Sequence, residues 1–343
     1  VVAAAAGQDR PQDAAAPVGA DAGDQVDLVD LVDLAASRVY VAGHTGMVGS
    51  AVWRALQAAG VGDLVGATSA ELDLRDRSAT AAFLDRVRPD VVVLAAARVG
   101  GIAANAARPV DFLSDNLLIQ TNVLDGAHAA DVHRLLFLGS SCIYPKMAPQ
   151  PIVESALLTG PLEPTNEAYA IAKIAGVKLV QAYRAQYGRS WVSAMPTNLY
   201  GPGDTFDAEA SHVLPALLMR LDDAARQGTP EVTVWGSGTP RREFLHVDDL
   251  ASACLLLLRR YDGDAPVNVG YGDDLTIAEL VDVVAHATGY RGQLRWDTTR
   301  PDGTPRKLLD SSVLAALGFS PSVDLRTGVA ATLAWYRAAR LDR

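Results

Sequence analysis

The chain has 343 residues, 49% hydrophobic and 20% charged, an ordinary globular composition with room for one large domain or two modest ones. A formal net charge of −10 argues against a general nucleic-acid binder, because phosphate backbones require basic surfaces, although a few local cations suffice for a phosphorylated small molecule. Two cysteines are too few for a disulfide scaffold and point to a reducing cytoplasm, and no apolar run is long enough to span a bilayer.

Residues 1–36 are rich in Ala, Asp and Gly, with the near-repeat Val26-Asp27-Leu28-Val29-Asp30-Leu31-Val32-Asp33-Leu34. They lack the basic start and continuous apolar segment of a secretory signal and read as a flexible low-complexity extension. From Arg38 onward, short apolar runs alternate with longer amphipathic ones. Strands are expected over 38–42, 64–67, 91–95, 135–139 and 191–195, with helices over 50–59, 79–87, 116–130 and 169–187 between them. A helix between each pair of strands makes βαβ units, so residues 37–200 are expected to form an α/β dinucleotide-binding (Rossmann) domain with a doubly wound parallel sheet. After Tyr200 the rhythm breaks into loops, a short strand over 232–235 and late helices over 277–288 and 326–340. Residues 201–343 therefore read mainly as a smaller, mixed α/β substrate lobe, with a return to the first lobe at about 243–270.

Gly43, Gly46 and Gly49 follow the first strand and open the first helix, in the loop Gly43-His44-Thr45-Gly46-Met47-Val48-Gly49. Glycine at the first position permits a tight turn, and the other two let a pyrophosphate and the neighbouring strand come close. A glycine triplet alone is weak evidence; the strand–loop–helix setting gives this one weight. A 2′-phosphate would need cations near the end of the second strand, where the chain offers Ala67, Thr68 and Ser69, with Thr45 in the loop. No acidic residue there claims a ribose diol, so the residues alone leave NADP and NAD both open.

Tyr169 and Lys173 stand at i and i+4, on one face of the expected helix. The lysine charge would lower the phenol's pKa and hold a nicotinamide ribose, leaving the tyrosine to donate a proton to a carbonyl oxygen. Such pairs are common on helices. The upstream glycine loop, and Ser140 at the end of the intervening strand, give this one meaning. Cys142 follows the carboxyl end of that strand, where doubly wound sheets bind ligands, whereas Cys254 lies in an apolar helix and reads as core. His212 opens a helix of the second lobe from which it could face the first, His246 reads as structural, and no metal site is expected.

The spacing G-x-x-G-x-x-G is typical of extended short-chain dehydrogenases/reductases, and longer runs are more specific. They include Ala96-Ala97-Arg98-Val99-Gly100-Gly101-Ile102, the stretches 138–146, 163–176, 195–202 and 234–249, and the run 301–310 from Pro301 to Asp310. On these, from Arg38 to about Trp335, the chain resembles the GDP-L-fucose synthases. The resemblance implies 3,5-epimerisation of GDP-4-keto-6-deoxy-D-mannose, then NADPH-dependent reduction at C4, by a homodimer with no membrane or nucleic-acid partner. It implies Ser140 and Tyr169 as the oxygen site, Cys142 as the base, His212 as the acid and Lys173 as the group that tunes Tyr169. Implied cofactor contacts are Gly43 to Gly49 (His44, Thr45, Gly46, Met47 and Val48 included), Asp73, Leu74, Ala96, Tyr169, Lys173, Pro196, Asn198, Leu199 and His212. Implied substrate contacts are Asn198, Arg220, Trp235, Arg242 and Lys307, three of them cationic, which suits a diphosphate. Thr45 replaces a loop arginine of the family, and with Ser69 this bears on NADP, not on the reaction.

Two rival readings fit less well. Dehydratases on this scaffold carry an Asp-Glu pair just after the active-site Ser or Thr, where this chain has Ser141-Cys142, and simple 4-epimerases need neither a thiol nor a histidine for proton exchange. A non-catalytic dinucleotide-binding regulator would commonly lack the tyrosine or the lysine, and both are present.

Overall fold

The computed structural model describes residues 30–207, 211–299 and 302–341. Most of the expected extension, residues 1–29, lies outside the described residues. Residues 30–36, also assigned to it, are instead packed on the fold: Leu31 N–H donates to Arg259 O at 2.7 Å and Leu34 is buried in the core. Leu34 is an apolar side chain in an acidic repeat, and its burial is what anchors that stretch.

The first lobe runs β1 (Arg38–Ala42), α1 (Met47–Ala58), β2 (Asp63–Val65), α2 (Arg77–Val87), β3 (Val91–Leu94), α3 (Ile102–Ala107), α4 (Pro109–Ala129), β4 (Arg134–Leu138), α5 (Glu167–Tyr187) and β5 (Ser190–Pro196). β1 and β3 are apolar on both faces because both faces are buried. Val39, Val41, Val91 and Val93 enter one core, while Tyr40, Ala42, Val92 and Leu94 enter the other. α4 starts seven residues before the expected position 116, since Pro109 at its first turn has a φ already suited to a helix and loses no hydrogen bond there.

The chain continues through β6 (Asn198–Tyr200), α6 (Val213–Gln227), β7 (Glu231–Trp235), β8 (Arg241–Arg242), β9 (Phe244–His246), α7 (Val247–Arg260) and β10 (Val267–Val269). It ends with β11 (Leu275–Thr276), α8 (Ile277–Thr288), β12 (Gln293–Asp297), β13 (Arg306–Lys307), α9 (Ser312–Ala316) and α10 (Leu325–Leu341). The main sheet has six strands in the order β2-β1-β3-β4-β5-β10, every neighbouring pair parallel. From β1 the chain goes to one side for β2 and to the other for β3. The carboxyl ends of β1 and β3 thus flank the switch point at which such sheets take ligands.

Helices α1 and α7 cover one face of the sheet, and α2, α4 and α5 the other. The stretch from α7 to β10 belongs to this lobe although it follows residues of the other. Arg134, buried at the start of β4, makes the connection: its guanidinium donates to the carbonyls of Leu257 (2.9 Å), Leu258 (3.0 Å) and Tyr261 at the end of α7. A cation there faces the negative end of the helix dipole and adds donors to its last carbonyls, of which Leu257 O already accepts from Tyr261 N–H at 3.1 Å. In the second lobe α6, α8 and α10 enclose a separate core containing Leu218, Leu221, Val234, Val284 and Leu333. Among the described residues no helix is long and apolar enough to cross a membrane.

Candidate active site

The glycine loop occupies the switch point. Gly43 has φ 85°, and a Cβ on it would stand 2.8 Å from the Ala96 backbone, so the loop and the segment after β3 touch directly. A Cβ on Gly49 would overlap the Gly43 carbonyl. Gly46 meets only Gly43 O at 3.5 Å, so its missing side chain serves the space outside the protein and not its own packing. It precedes α1, whose first turn has no side-chain cap and no acidic residue. Free N–H groups, the positive end of a helix dipole and an open approach together suit a pyrophosphate.

His44 turns inward from this loop. Its ring lies 5.3 Å from the Trp53 ring, a Cβ on Gly66 would stand 2.6 Å from it, and its buried Nδ1 has no hydrogen-bond partner. Thr45 is exposed, as is Ser69. Asp73, expected near the adenine, has its carboxylate gripped by Arg75 at 2.7 and 2.9 Å, which pulls its pKa down to about 2. Leu74 packs on the core beside it.

Tyr169 and Lys173 are buried on the inner face of α5. Lys173 Nζ donates to Leu138 O at 2.8 Å and lies 4.9 Å from the centroid of the Phe137 ring and 5.9 Å from that of Tyr169. The Tyr169 hydroxyl is hydrogen-bonded with Ser140. The expectation that the lysine lowers the phenol's pKa is not met. Burial pushes the phenol well up, the charge of Cys142 adds to that, and the Ser140 bond offsets only part. Lys173, stripped of water, is itself pulled down to about 7. Burial weakens the lysine's charge and raises the phenol more than that charge offsets, so in the free protein Tyr169 holds its proton.

Ser140 begins a single 3-10 turn over Ser141–Ile143, its Oγ accepting from Cys142 N–H at 3.2 Å. That turn sets Cys142 beside the phenol. The sulfur accepts from Asn166 Nδ2 at 3.3 Å and from Lys307 Nζ at 3.6 Å. Lys307 pairs in register with Arg242 across β13 and β8, so two cations lie side by side. Asn198, just past Pro196 and before Leu199, donates to Glu243 O at 2.8 Å, next to Arg242. His212 caps α6 without a side-chain bond. Desolvation, then the charge of Lys307, pulls its pKa below the usual imidazole value, although the ring keeps solvent contact. Arg220 meets another strand, donating to Thr233 O of β7, two residues before the exposed Trp235. Cys254 is core and His246 caps α7 by accepting from Asp248 N–H at 3.3 Å. Among the described residues no three His, Cys, Asp or Glu side chains are grouped to hold a metal ion.

Residues 39–270 match the NAD dependent epimerase/dehydratase family. GDP-L-fucose synthase 1 of Arabidopsis thaliana is 58% identical over 300 residues, covering 88% of this chain and 93% of that protein. The chain belongs to this family, in its GDP-L-fucose synthase branch. GDP-L-fucose synthase of Escherichia coli K12 is 52% identical over 308 residues, 87% of this chain and 96% of that one. Among solved structures, a GDP-L-fucose synthetase from Naegleria fowleri bound to NADP is 29% identical, with a TM-score of 0.81, covering 88% of this chain and 94% of that one.

Membership makes the chain a nicotinamide-dependent enzyme, and the glycine cradle and buried lysine fit a dinucleotide. The fit is incomplete at one point. Thr45 and Ser69, where the family resemblance places cations, offer exposed hydroxyls and no charge, and Glu71 folds back to accept from Thr68 N–H at 2.8 Å. Sequence reasoning missed Asn166, although it lies only three residues before Tyr169, and missed the contact of Lys307 with the thiol. No local pattern links positions 142 and 307; the bridge of Ile152 to Leu309 ties the stretch after Cys142 to the one after Lys307.

Proposed function

We propose that this chain converts GDP-4-keto-6-deoxy-D-mannose to GDP-L-fucose by epimerisation at C3 and C5 and NADPH-dependent reduction at C4. The observation that carries this reading is the convergence of Ser140, Cys142 and Tyr169 at the carboxyl end of β4. Carbons 3 and 5 both flank the C4 ketone, so polarising one oxygen acidifies both α-protons. Ser140 and Tyr169 bind that oxygen and stabilise the enolate of each epimerisation and the alkoxide of the reduction. Cys142 removes each α-proton, and His212 returns one on the opposite face. The dihydronicotinamide, when bound, supplies a hydride to C4. Tyr169, which keeps its proton in the free protein, gives it to O4 at that step, and Lys173 beside it stabilises the phenolate left behind.

Asn198, Arg220, Trp235 and Arg242 form the proposed nucleotide-sugar side of the cleft. The loop 43–49 with Ala96, Pro196 and Leu199 holds the cofactor. Cys142 and Cys254 are free thiols, which suits the cytoplasm. Leu118 on α4 and Ile171 on α5 are each 44% exposed, which suits a homodimer packed through those helices. The direct test supplies GDP-4-keto-6-deoxy-D-mannose with NADPH or NADH and follows cofactor absorbance and product. GDP-L-fucose formed with cofactor oxidation is expected; no oxidation of either cofactor overturns the reading.

A further inference from the structure

Two side chains contact the Cys142 sulfur, and the reaction just described assigns no part in proton transfer to either. Asn166, in the turn that leads into α5, points its amide N–H at Sγ from 3.3 Å. Lys307, on β13 of the other lobe, points its ammonium at the same atom from 3.6 Å. Tyr169 and Ser140 stand on the remaining side, bonded to each other, and Ser140 also fixes the Cys142 backbone at 3.2 Å. Lys307 reaches further, since its charge is felt at His212.

We propose that Lys307 and Asn166 are positioning residues for the thiol base: two N–H donors from different lobes fix Sγ and give its negative charge a counter-ion. This rests on the reading of Cys142 as the base. It reassigns Lys307, which the family resemblance would give to the substrate diphosphate. The physical reason is charge balance. A sulfur that must take a proton from carbon has to carry negative charge first, and a cation at contact distance favours that form. In the step itself the Sγ lone pair forms the S–H bond as the C–H bond breaks, and the freed electron pair moves into the enolate at Ser140 and Tyr169. The lysine gains and loses nothing. Its counter-charge is used up when the sulfur is protonated, which leaves His212 beside an uncompensated cation and favours release of its own proton to the other face. The diphosphate retains Arg242, Lys307's neighbour across the strand pair, and Arg220.

The test compares the wild type with Lys307→Met, Lys307→Arg and Asn166→Ala by two measurements that need no catalysis. The first is the rate of iodoacetamide alkylation of Cys142 at neutral pH, with Cys142→Ser as blank; Cys254 is buried and unreactive. The second is GDP affinity by calorimetry. Lys307→Met is expected to slow alkylation by about tenfold or more, the effect of losing an adjacent cation, while GDP affinity stays within about twofold. Lys307→Arg should restore most of the alkylation rate, and Asn166→Ala should show a smaller loss. Weakened GDP binding with unchanged alkylation in Lys307→Met would return the lysine to the diphosphate and overturn the proposal. Unchanged alkylation in both Lys307→Met and Asn166→Ala would overturn it as well. Slowed alkylation in a chain that fails to epimerise the 4-keto sugar would leave this arrangement standing and remove the proposed reaction instead.

Discussion

Gly176 of α5 rests against Phe137 of β4 so closely that a Cβ on the glycine would overlap the ring edge and stand 2.8 Å from Gln120 Oε1. The same ring lies 4.9 Å from Lys173 Nζ, so the contact that brings the helix onto the sheet also places the catalytic pair. Gly176→Ala gains about 1 kcal/mol of helix propensity but must push α5 off β4, and overpacking a core costs about 1–3 kcal/mol. Urea unfolding should therefore show a net loss of stability, with turnover falling as Tyr169 shifts. A stabilised, fully active variant would mean that Phe137 yields and does not set the helix position.

Lys173 makes stability depend on pH in a direction that can be worked out. Its pKa falls from the ordinary 10.5 to about 7 on folding, so between those values the unfolded chain binds more protons than the folded one. Stability of the free protein then rises with pH across that window, and the penalty for burying the ammonium is fully felt only below about 7. Denaturation of the wild type and Lys173→Met from pH 7 to 9.5 should show a rise that the variant lacks. Parallel curves would remove Lys173 as its source.

The hydroxyls of Thr45 and Ser69 can hydrogen-bond a 2′-phosphate but bring no charge to it. NADPH and NADH should consequently bind with affinities within about tenfold of each other, since a charged partner adds roughly 1.5–3 kcal/mol that is missing here. Thr45→Arg should tighten NADPH by about tenfold and leave NADH unchanged, read by fluorescence titration. Strong selection for NADPH by the wild type, with no gain in the variant, would show that another cation serves the phosphate.

Cys142 and Tyr169 should separate the two halves of the reaction. Cys142→Ser is expected to slow exchange of the C3 and C5 protons into heavy water by roughly 100- to 10,000-fold, the usual worth of a positioned base, with cofactor binding intact. Tyr169→Phe should depress reduction while part of that exchange survives through Ser140. Wild-type exchange in the first variant, or wild-type reduction in the second, would take the residue out of the mechanism.

Local chemistry alone determined the alternating lobe, the glycine loop and the pairing of Tyr169 with Lys173, because each depends on spacings within one strand, turn or helix. The buried strands were legible for the same reason: Val91 to Leu94 are apolar on both faces whichever neighbours they meet. Only the tertiary structure decided the ionisation of the pair. The phenol's fate depends on how much water burial removes from Lys173, and sequence spacing carries no measure of desolvation. It also decided that Leu34 belongs to the core, that Arg134 ties α7 to β4, and that Lys307 reaches Cys142 from 165 positions away. Such contacts are made by elements that the chain brings together from far apart, and no periodicity records them.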